Sequence, residues 1–505
     1  MVFSSYVFIC IFLPATLFGY WVFTHISHQA SKWWLCLTSL VFYGWWDIRW
    51  LPVILVSILF NFAIGRAIIA RTQPDKTSGA LLAFGITINL AALAYYKYMF
   101  WLLGLVGLGA AMPVAIGLPL GISFFTFTQI AFLVDASEEF HGRYSPTNYL
   151  LFVTFFPHLI AGPIVHHRDL MPQFEESRNY RLHAREIAIG LAIFVIGLAK
   201  KTVIADNVAN VSTRMLDHPG GVSAVWLGVL AYSMQLYFDF SGYSDMAVGL
   251  GRMFGIKFPV NFNSPYKATS IIDFWQRWHI TLTRFLTAYV YNPIALALVR
   301  RRARAGISTS KRASRSPSGF LAMIALPTWI TIVLAGIWHG AGLQFVAYGV
   351  LHALYLTINH AWRTFGPKSA EDPGAAVRAA RAIGYGALVY LAVLIAQIAF
   401  HARSLRYGAA TIAQMVGLHG VAGPAAPIAL FDILPVAAAM ALVWLAPNTW
   451  QLMAPHDPAL TTLDRIEPSR VHIRFTVGWA LVLGVVFYAG LFNIQGEQPF
   501  IYFQF

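Results

Sequence analysis

Charge is what this sequence lacks most. Asp, Glu, Lys and Arg make up 11% of its 505 residues, against the roughly 25% of soluble domains, which excludes a chain surrounded by water on all sides. Cysteine is scarce too: Cys10 and Cys36 both lie in apolar stretches, which excludes a disulfide framework and suits small buried thiols. Acidic residues number 21 against 35 Lys and Arg, a formal net charge of +14. No internal repeat, long linker, HExxH or CxxC spacing is present. The first apolar stretch has neither a basic n-region nor a small-residue cleavage site, so it reads as an uncleaved span.

What is present is hydrocarbon, 58% of residues, at a mean hydropathy of +0.62. Apolar stretches occupy 5 to 24, 33 to 46, 50 to 70, 79 to 106, 112 to 134, 147 to 165, 186 to 205, 222 to 240, 320 to 337, 341 to 362, 383 to 400, 428 to 446 and 475 to 494. Most reach the roughly 17 to 25 residues a spanning helix needs, although 33 to 46 is short enough to be re-entrant or interfacial. The expectation is an all-α polytopic membrane protein with about 11 to 13 transmembrane helices, a single integral-membrane domain over residues 1–505.

The basic excess sits in short loops between these stretches, where Lys and Arg mark the cytoplasmic side, so it speaks for membrane orientation and against nucleic acid. The segment from Arg300 to Arg315 holds seven basic residues and no acidic one, and that from Arg363 to Arg381 four against two. Both are expected in the cytoplasm. Counting outward puts Arg168, Arg178, Arg181 and Arg185 inside and the loop with Asp135, Glu138 and Glu139 outside. Toward the N-terminus the alternation fails, because it places Arg71 and Lys76 outside and the uncharged loop Gly107 to Ala111 inside.

Residues 241 to 299 are too polar and too rich in Pro and Asn for simple spans, yet too aromatic for a loop. Polar backbone at membrane depth persists only when buried in protein or lining a wet cavity. Within it, Ser270-Ile271-Ile272-Asp273 has the form of a capping box, with Ser270 as N-cap. Ile271, Trp275, Trp278, Leu282 and Phe285 then recur at helical steps as one apolar stripe, opposite Asp273, Arg277 and Arg284. On one such helix His279 falls about 80° from the stripe's centre at roughly 100° per residue. It is equally suited to a structural hydrogen bond and to reaction.

His339, in Trp338-His339-Gly340-Ala341-Gly342, lies between two apolar stretches of about twenty residues, and an ionisable group so placed is a functional candidate. Gly340 and Gly342 either admit a close neighbour or end one helix and start another. An alcohol attacks a thioester only if a base takes its proton, and imidazole, with an unperturbed pKa near 6.5, suits that task.

The blocks YFDFSGYSDMAVGLGRMFG and NFNSPYKATSIIDFWQRWHITLTRFL within 237 to 286, with IWHGAG around His339, resemble the membrane-bound O-acyltransferase family. The likeness is to its bacterial branch, which holds the membrane subunit of alginate O-acetylation and the D-alanyl transferase of teichoic acids. MVFSSYVF, FFPHLIAGPIVHHRDLMPQF and FIYFQF are similar to the alginate-type members. The resemblance implies a bundle with re-entrant helices around a central tunnel and a catalytic core within 237–363. It implies His339 as the active-site histidine and His279 as the second one. Leu343 stands where the family often has an aromatic. His352 matches a further histidine of the branch, but on a helix running straight through from His339 it would point away.

The resemblance further implies acetyl-CoA as donor substrate, with an acyl carrier protein as the other donor class, and no metal. Implied partners are membrane lipid, an extracytoplasmic SGNH-type acetyltransferase subunit and an extracytoplasmic polysaccharide acceptor, at the bacterial inner membrane. Acetyl-histidine formation and simple base catalysis both suit His339. The rival class is a proton- or ion-coupled transporter, with Asp239 and Asp245 in a relay; their other reading is pairing with Arg252 or backbone groups. His158, His166 and His167 with Asp169 lack any metal-ligand spacing, and Asn210-Val211-Ser212 matches a glycosylation acceptor by spacing only.

Overall fold

The computed structural model describes the chain except residues 72–75, 109–116, 140–144, 182, 218–220, 368–373, 419–427, 461–465, 467–468, 495–499 and 502–505. Part of the uncharged loop at 107–111, the centre of the basic segment 363 to 381 and the last four residues of FIYFQF thus lie outside the described residues. The protein is all-α and polytopic, and no strand occurs among the described residues. Among the described residues six helices are long and apolar enough to cross a membrane: Ile48–Ile69, Thr77–Leu105, Ala184–Asp217, Ile280–Arg304, Pro317–His339 and Gly374–His401. A bent pair at Leu430–Leu445 and Thr449–His456 makes a seventh if read as one span.

Phe8–Thr24 and Val477–Phe492 are apolar helices of slightly shorter length, while residues 147 to 165 do not form one span. They fold as two short helices, Pro146–Thr154 and Phe156–Leu159, and apart from half-buried Leu150 every residue from 147 to 165 is buried. Hydropathy reads burial in protein and burial in lipid as the same signal. Residues 33 to 44 of the short stretch lie in the 17-residue helix His28–Gly44, which ends two residues before the stretch does.

The chain packs as two compact units. The first comprises Met1–Val203, Phe238–Val260 and Thr449–Gln504. Its core is aromatic: Phe3 stacks on Tyr243 at 4.7 Å and Phe8 packs against Phe42, Phe156 and Phe194. From the other end of the sequence Phe500 stacks on Tyr243 at 4.6 Å. Helix Ala184–Ala199 crosses residues 238–253 at backbone contact. A Cβ on Gly190 would come within 2.5 Å of the Gly249 oxygen, and one on Gly197 within 2.6 Å of the Gly242 oxygen. Glycine every seventh residue on both helices permits this approach, which lateral packing in lipid favours.

Asp239 and Asp245 lie in this crossing. Asp239 pairs with Lys201 at 2.8 Å and accepts the Ile501 amide, also at 2.8 Å. Asp245 pairs with Lys200 at 2.5 Å and accepts the Thr449 hydroxyl at 2.6 Å. Backbone pairing thus holds for Asp239, but Arg252 is not the partner of either. It pairs with Glu186 at 2.6 Å, and the adjacent lysines at 200 and 201 reach the carboxylates instead.

The second unit comprises Ile204–Tyr237 and Asn261–Asn448. Five of its helices carry the argument below: α1 (Ile271–Trp275), α2 (Ile280–Leu286), α3 (Leu326–His339), α4 (Leu343–Phe365) and α5 (Gly374–His401). α3 and α4 pack closely because Gly336 and Gly349 face each other; a Cβ on Gly336 would lie 2.5 Å from the Phe345 oxygen.

Candidate active site

Residues 271 to 285 do not form the single helix that their apolar stripe implies. Ser270 caps α1 by accepting the Asp273 amide at 3.1 Å, so half of the capping box forms. The reciprocal bond does not: Asp273 accepts from the Thr269 amide at 3.4 Å and pairs with Arg277 at 2.8 Å. α1 ends at Trp275, and α2 starts only after His279, which adopts the left-handed conformation, φ 44° and ψ 54°. For a residue with a Cβ this costs about 1–3 kcal/mol and persists only where surrounding structure imposes it.

The imposing structure is Asn-Phe-Asn at 261–263. Ile280 donates its amide to the Asn261 carbonyl and the Asn263 amide donates to the Arg277 carbonyl, both at 2.9 Å. Backbone groups opened by the helix break are thereby satisfied without water, as a buried break requires. The Asn261 side chain, fully buried, accepts from the Thr281 amide at 3.3 Å and the Thr281 hydroxyl at 2.9 Å, and lies 3.0 Å from His279 Nδ1. Because an amide N–H only donates, the atom facing it is the carboxamide oxygen, and His279 must donate from Nδ1. The neutral ring then carries its lone pair on Nε2. The apolar stripe is nonetheless buried throughout, with Ile271, Trp275, Trp278, Leu282 and Phe285 all packed inside.

His339 is the last residue of α3, and Gly340, in extended conformation, stops the helix. A Cβ on Gly340 would collide with the Phe345 ring, so this glycine serves close approach as well as helix ending. The imidazole is buried and packs edge-on against Trp338 at 4.9 Å, Tyr348 at 5.8 Å and Phe400 at 5.1 Å. The Trp338 ring also touches His279 at 6.4 Å. One indole therefore contacts both sequence-selected histidines.

His352 belongs to the same cluster. The break at Gly340 to Gly342 lets α4 fold back along α3, so His352 does not point away. Tyr348 contacts His352 at 4.6 Å as well as His339, Trp275 donates its indole N–H to His352 Nδ1 at 3.3 Å, and Phe274 stacks on it at 6.1 Å. The signal was available in the two glycines after His339, read as a turn. Asn261 was missed as the holder of His279; its signal was the polar Asn-Phe-Asn run amid aromatic sequence.

Polar groups around the cage are also engaged. Tyr266 donates to the Ser233 carbonyl at 2.9 Å and accepts from Gln397 at 2.9 Å, while Lys267 donates to the Ala446 carbonyl at 3.1 Å. Burial lowers the Lys267 ammonium below its ordinary value, and the charge of Arg277 adds to the effect. Of the other histidines, His167 sits 3.2 Å from Asp135 in the first unit. Among the described residues no group of three or more His, Cys, Asp or Glu is arranged to hold a metal.

The model of the membrane-bound O-acyltransferase family matches residues 16–309, more than half of the chain. The chain belongs to the membrane-bound O-acyltransferase family. It is therefore an O-acyltransferase. The matched range includes His279 and ends before His339. Among similar proteins, the peptidoglycan O-acetyltransferase of Helicobacter pylori is 37% identical over 83% of this chain and 81% of its own length. The probable alginate O-acetylase of Azotobacter vinelandii is 37% identical over 72% of this chain and 69% of its own. The teichoic acid D-alanyltransferase of Bacillus subtilis is 30% identical over 47% and 58%.

Proposed function

We propose that this O-acyltransferase takes acetyl from acetyl-CoA on the cytoplasmic side of the bacterial inner membrane and delivers it toward an extracytoplasmic polysaccharide, with His339 as the base. The observation that carries the reading is the setting of His339: a buried imidazole at the end of a long apolar helix, joined through Trp338 to a second buried histidine. As the acceptor hydroxyl attacks the thioester carbonyl, His339 takes its proton. The C–S bond then breaks, and the imidazolium returns the proton to the departing thiolate, leaving an ester and a free thiol. His279, its Nδ1 engaged by Asn261, presents Nε2 and serves as the second histidine of the site.

Direction follows from charge and length. The basic segment from Arg300 to Arg315 precedes Pro317–His339, which at 23 residues rises about 34 Å at 1.5 Å per residue, slightly more than the roughly 30 Å hydrocarbon core. With that segment in the cytoplasm, where it also steers the anionic donor inward, His339 lies toward the outer face. Donor then enters past His279, acetyl crosses through a tunnel, and CoA stays inside. The acceptor class rests on relatives named for peptidoglycan and alginate, both glycans. A separate extracytoplasmic SGNH-type subunit completes the transfer to the sugar.

The test is turnover of labelled acetyl-CoA by purified protein, wild type and His339→Gln, which keeps the ring's bulk. The expected loss is about 10²–10⁴-fold, the usual scale of general-base catalysis, with unfolding temperature near wild type. Wild-type turnover in the variant would end the assignment. Turnover with acetylated carrier protein and none with acetyl-CoA would replace the donor and keep the base.

A further inference from the structure

Between α4 and α5, away from the histidines, a groove of about 470 Å³ opens on the outside of the second unit, within the roughly 300–1,000 Å³ of small-ligand cavities. Its walls include Ile271, Tyr355, Ile358, Trp362, Tyr385 and Leu388, and its surface is almost wholly apolar. Ile358, Trp362 and Leu388 are 58%, 61% and 63% exposed, so these large side chains belong to a surface and not to the core.

One end of the groove is cationic. Arg363, in the last turn of α4, donates to the Ser270 hydroxyl at 3.2 Å, and Ser270 lines the groove. Arg381 precedes Tyr385 by one turn of α5 and so lies on its face. Both arginines are exposed, and no carboxylate among the described residues pairs with either. Asp273, on neighbouring α1, is already held by Arg277. From Arg381 to Ala392, the farthest lining residue on α5, the helix rises about 16 Å, close to half of the roughly 30 Å hydrocarbon core. An apolar channel one leaflet deep, with two cations at the end that the orientation proposed above places in the cytoplasm, is complementary to an amphiphile with an anionic head.

We propose that this groove is a binding site for an anionic glycerophospholipid of the cytoplasmic leaflet. The phosphate sits between Arg363 and Arg381, and one acyl chain runs down the groove to Ala392. Its floor includes Ser270 and Ile271, the start of the helix whose Trp275 holds His352, so an occupant braces the aromatic cage from outside.

The test is retention of phosphatidylglycerol against phosphatidylcholine of identical chains by the purified, delipidated full-length protein, read by native mass spectrometry. The wild type should prefer phosphatidylglycerol by at least fivefold, since each basic residue near an anionic surface contributes about 1 kcal/mol, or roughly fivefold. R363Q/R381Q should erase the preference, and Ala392→Trp should lower retention of both lipids. Equal retention of the two lipids by wild type, or a preference that survives R363Q/R381Q, overturns the proposal. So does a dimer that Ala392→Trp abolishes while lipid retention is unchanged, because a second copy then covers the face. If Ala392→Trp does not fold, the arginine pair alone decides.

Discussion

Replacing Asn261 by Ala tests whether the helix break at His279 is held by a single carboxamide. Its oxygen serves the Thr281 amide and hydroxyl and His279 Nδ1. The hydroxyl can rotate to another acceptor, but the other two donors are fixed. Two buried donors are thus orphaned at about 1–3 kcal/mol each, giving about 2–6 kcal/mol in all. At roughly 2–4 °C per kcal/mol for a unit of this size, that is a fall of roughly 5–20 °C in unfolding temperature. With Nδ1 released, His279 also loses the orientation that puts its lone pair on Nε2, so acetyl transfer should fall at least about tenfold at a temperature where the variant is folded. Thr281→Val is the comparison, since it removes one rotatable donor and leaves the His279 contact. It should cost no more than about 1 kcal/mol and leave turnover within a factor of about two. The assays are fluorescence-monitored unfolding in micelles and labelled acetyl-CoA turnover. An Asn261→Ala protein that unfolds within about 2 °C of wild type and turns over normally would refute the argument.

Gly197→Leu should yield little folded protein, because its side chain meets the Gly242 carbonyl at backbone distance; Gly79→Ala, with open space around it, should be neutral or stabilising by about 0.5–1 kcal/mol. Normal yield and melting of Gly197→Leu would refute backbone contact at the crossing. Lys201→Met strands the buried Asp239 carboxylate and should cost about 3–5 kcal/mol, seen as a lower unfolding temperature; unchanged melting would show that the pair holds nothing. Ser310→Cys, on the exposed basic segment, should react with a membrane-impermeant thiol reagent only from the cytoplasmic side, and labelling from the periplasm alone would invert the orientation.

The sequence by itself determined the solvent and the class, and it singled out both histidines as candidates. Lipid as solvent follows from composition, because no other environment accepts so many apolar side chains with so few charges. His339 stood out because an imidazole between two long apolar stretches is costly to place there, and the motif blocks identified the family. Pattern failed where two environments give one signal. Residues 147 to 165 are apolar because protein surrounds them, and hydropathy cannot distinguish that from lipid. The stripe from Ile271 to Phe285 is helical in period although the chain breaks at His279, because a break shifts backbone direction without altering which side chains are buried. The partners of Asp239 and Asp245 were undecided for a related reason: charges 38 and 45 residues apart meet only once the glycine crossing brings Lys201 and Lys200 to them. The same holds for His352, whose place beside Tyr348 and Trp275 depends on α4 folding back after Gly340. Long-range contact, unlike solvent preference or helical period, is a property of the packed chain and is written in no single segment.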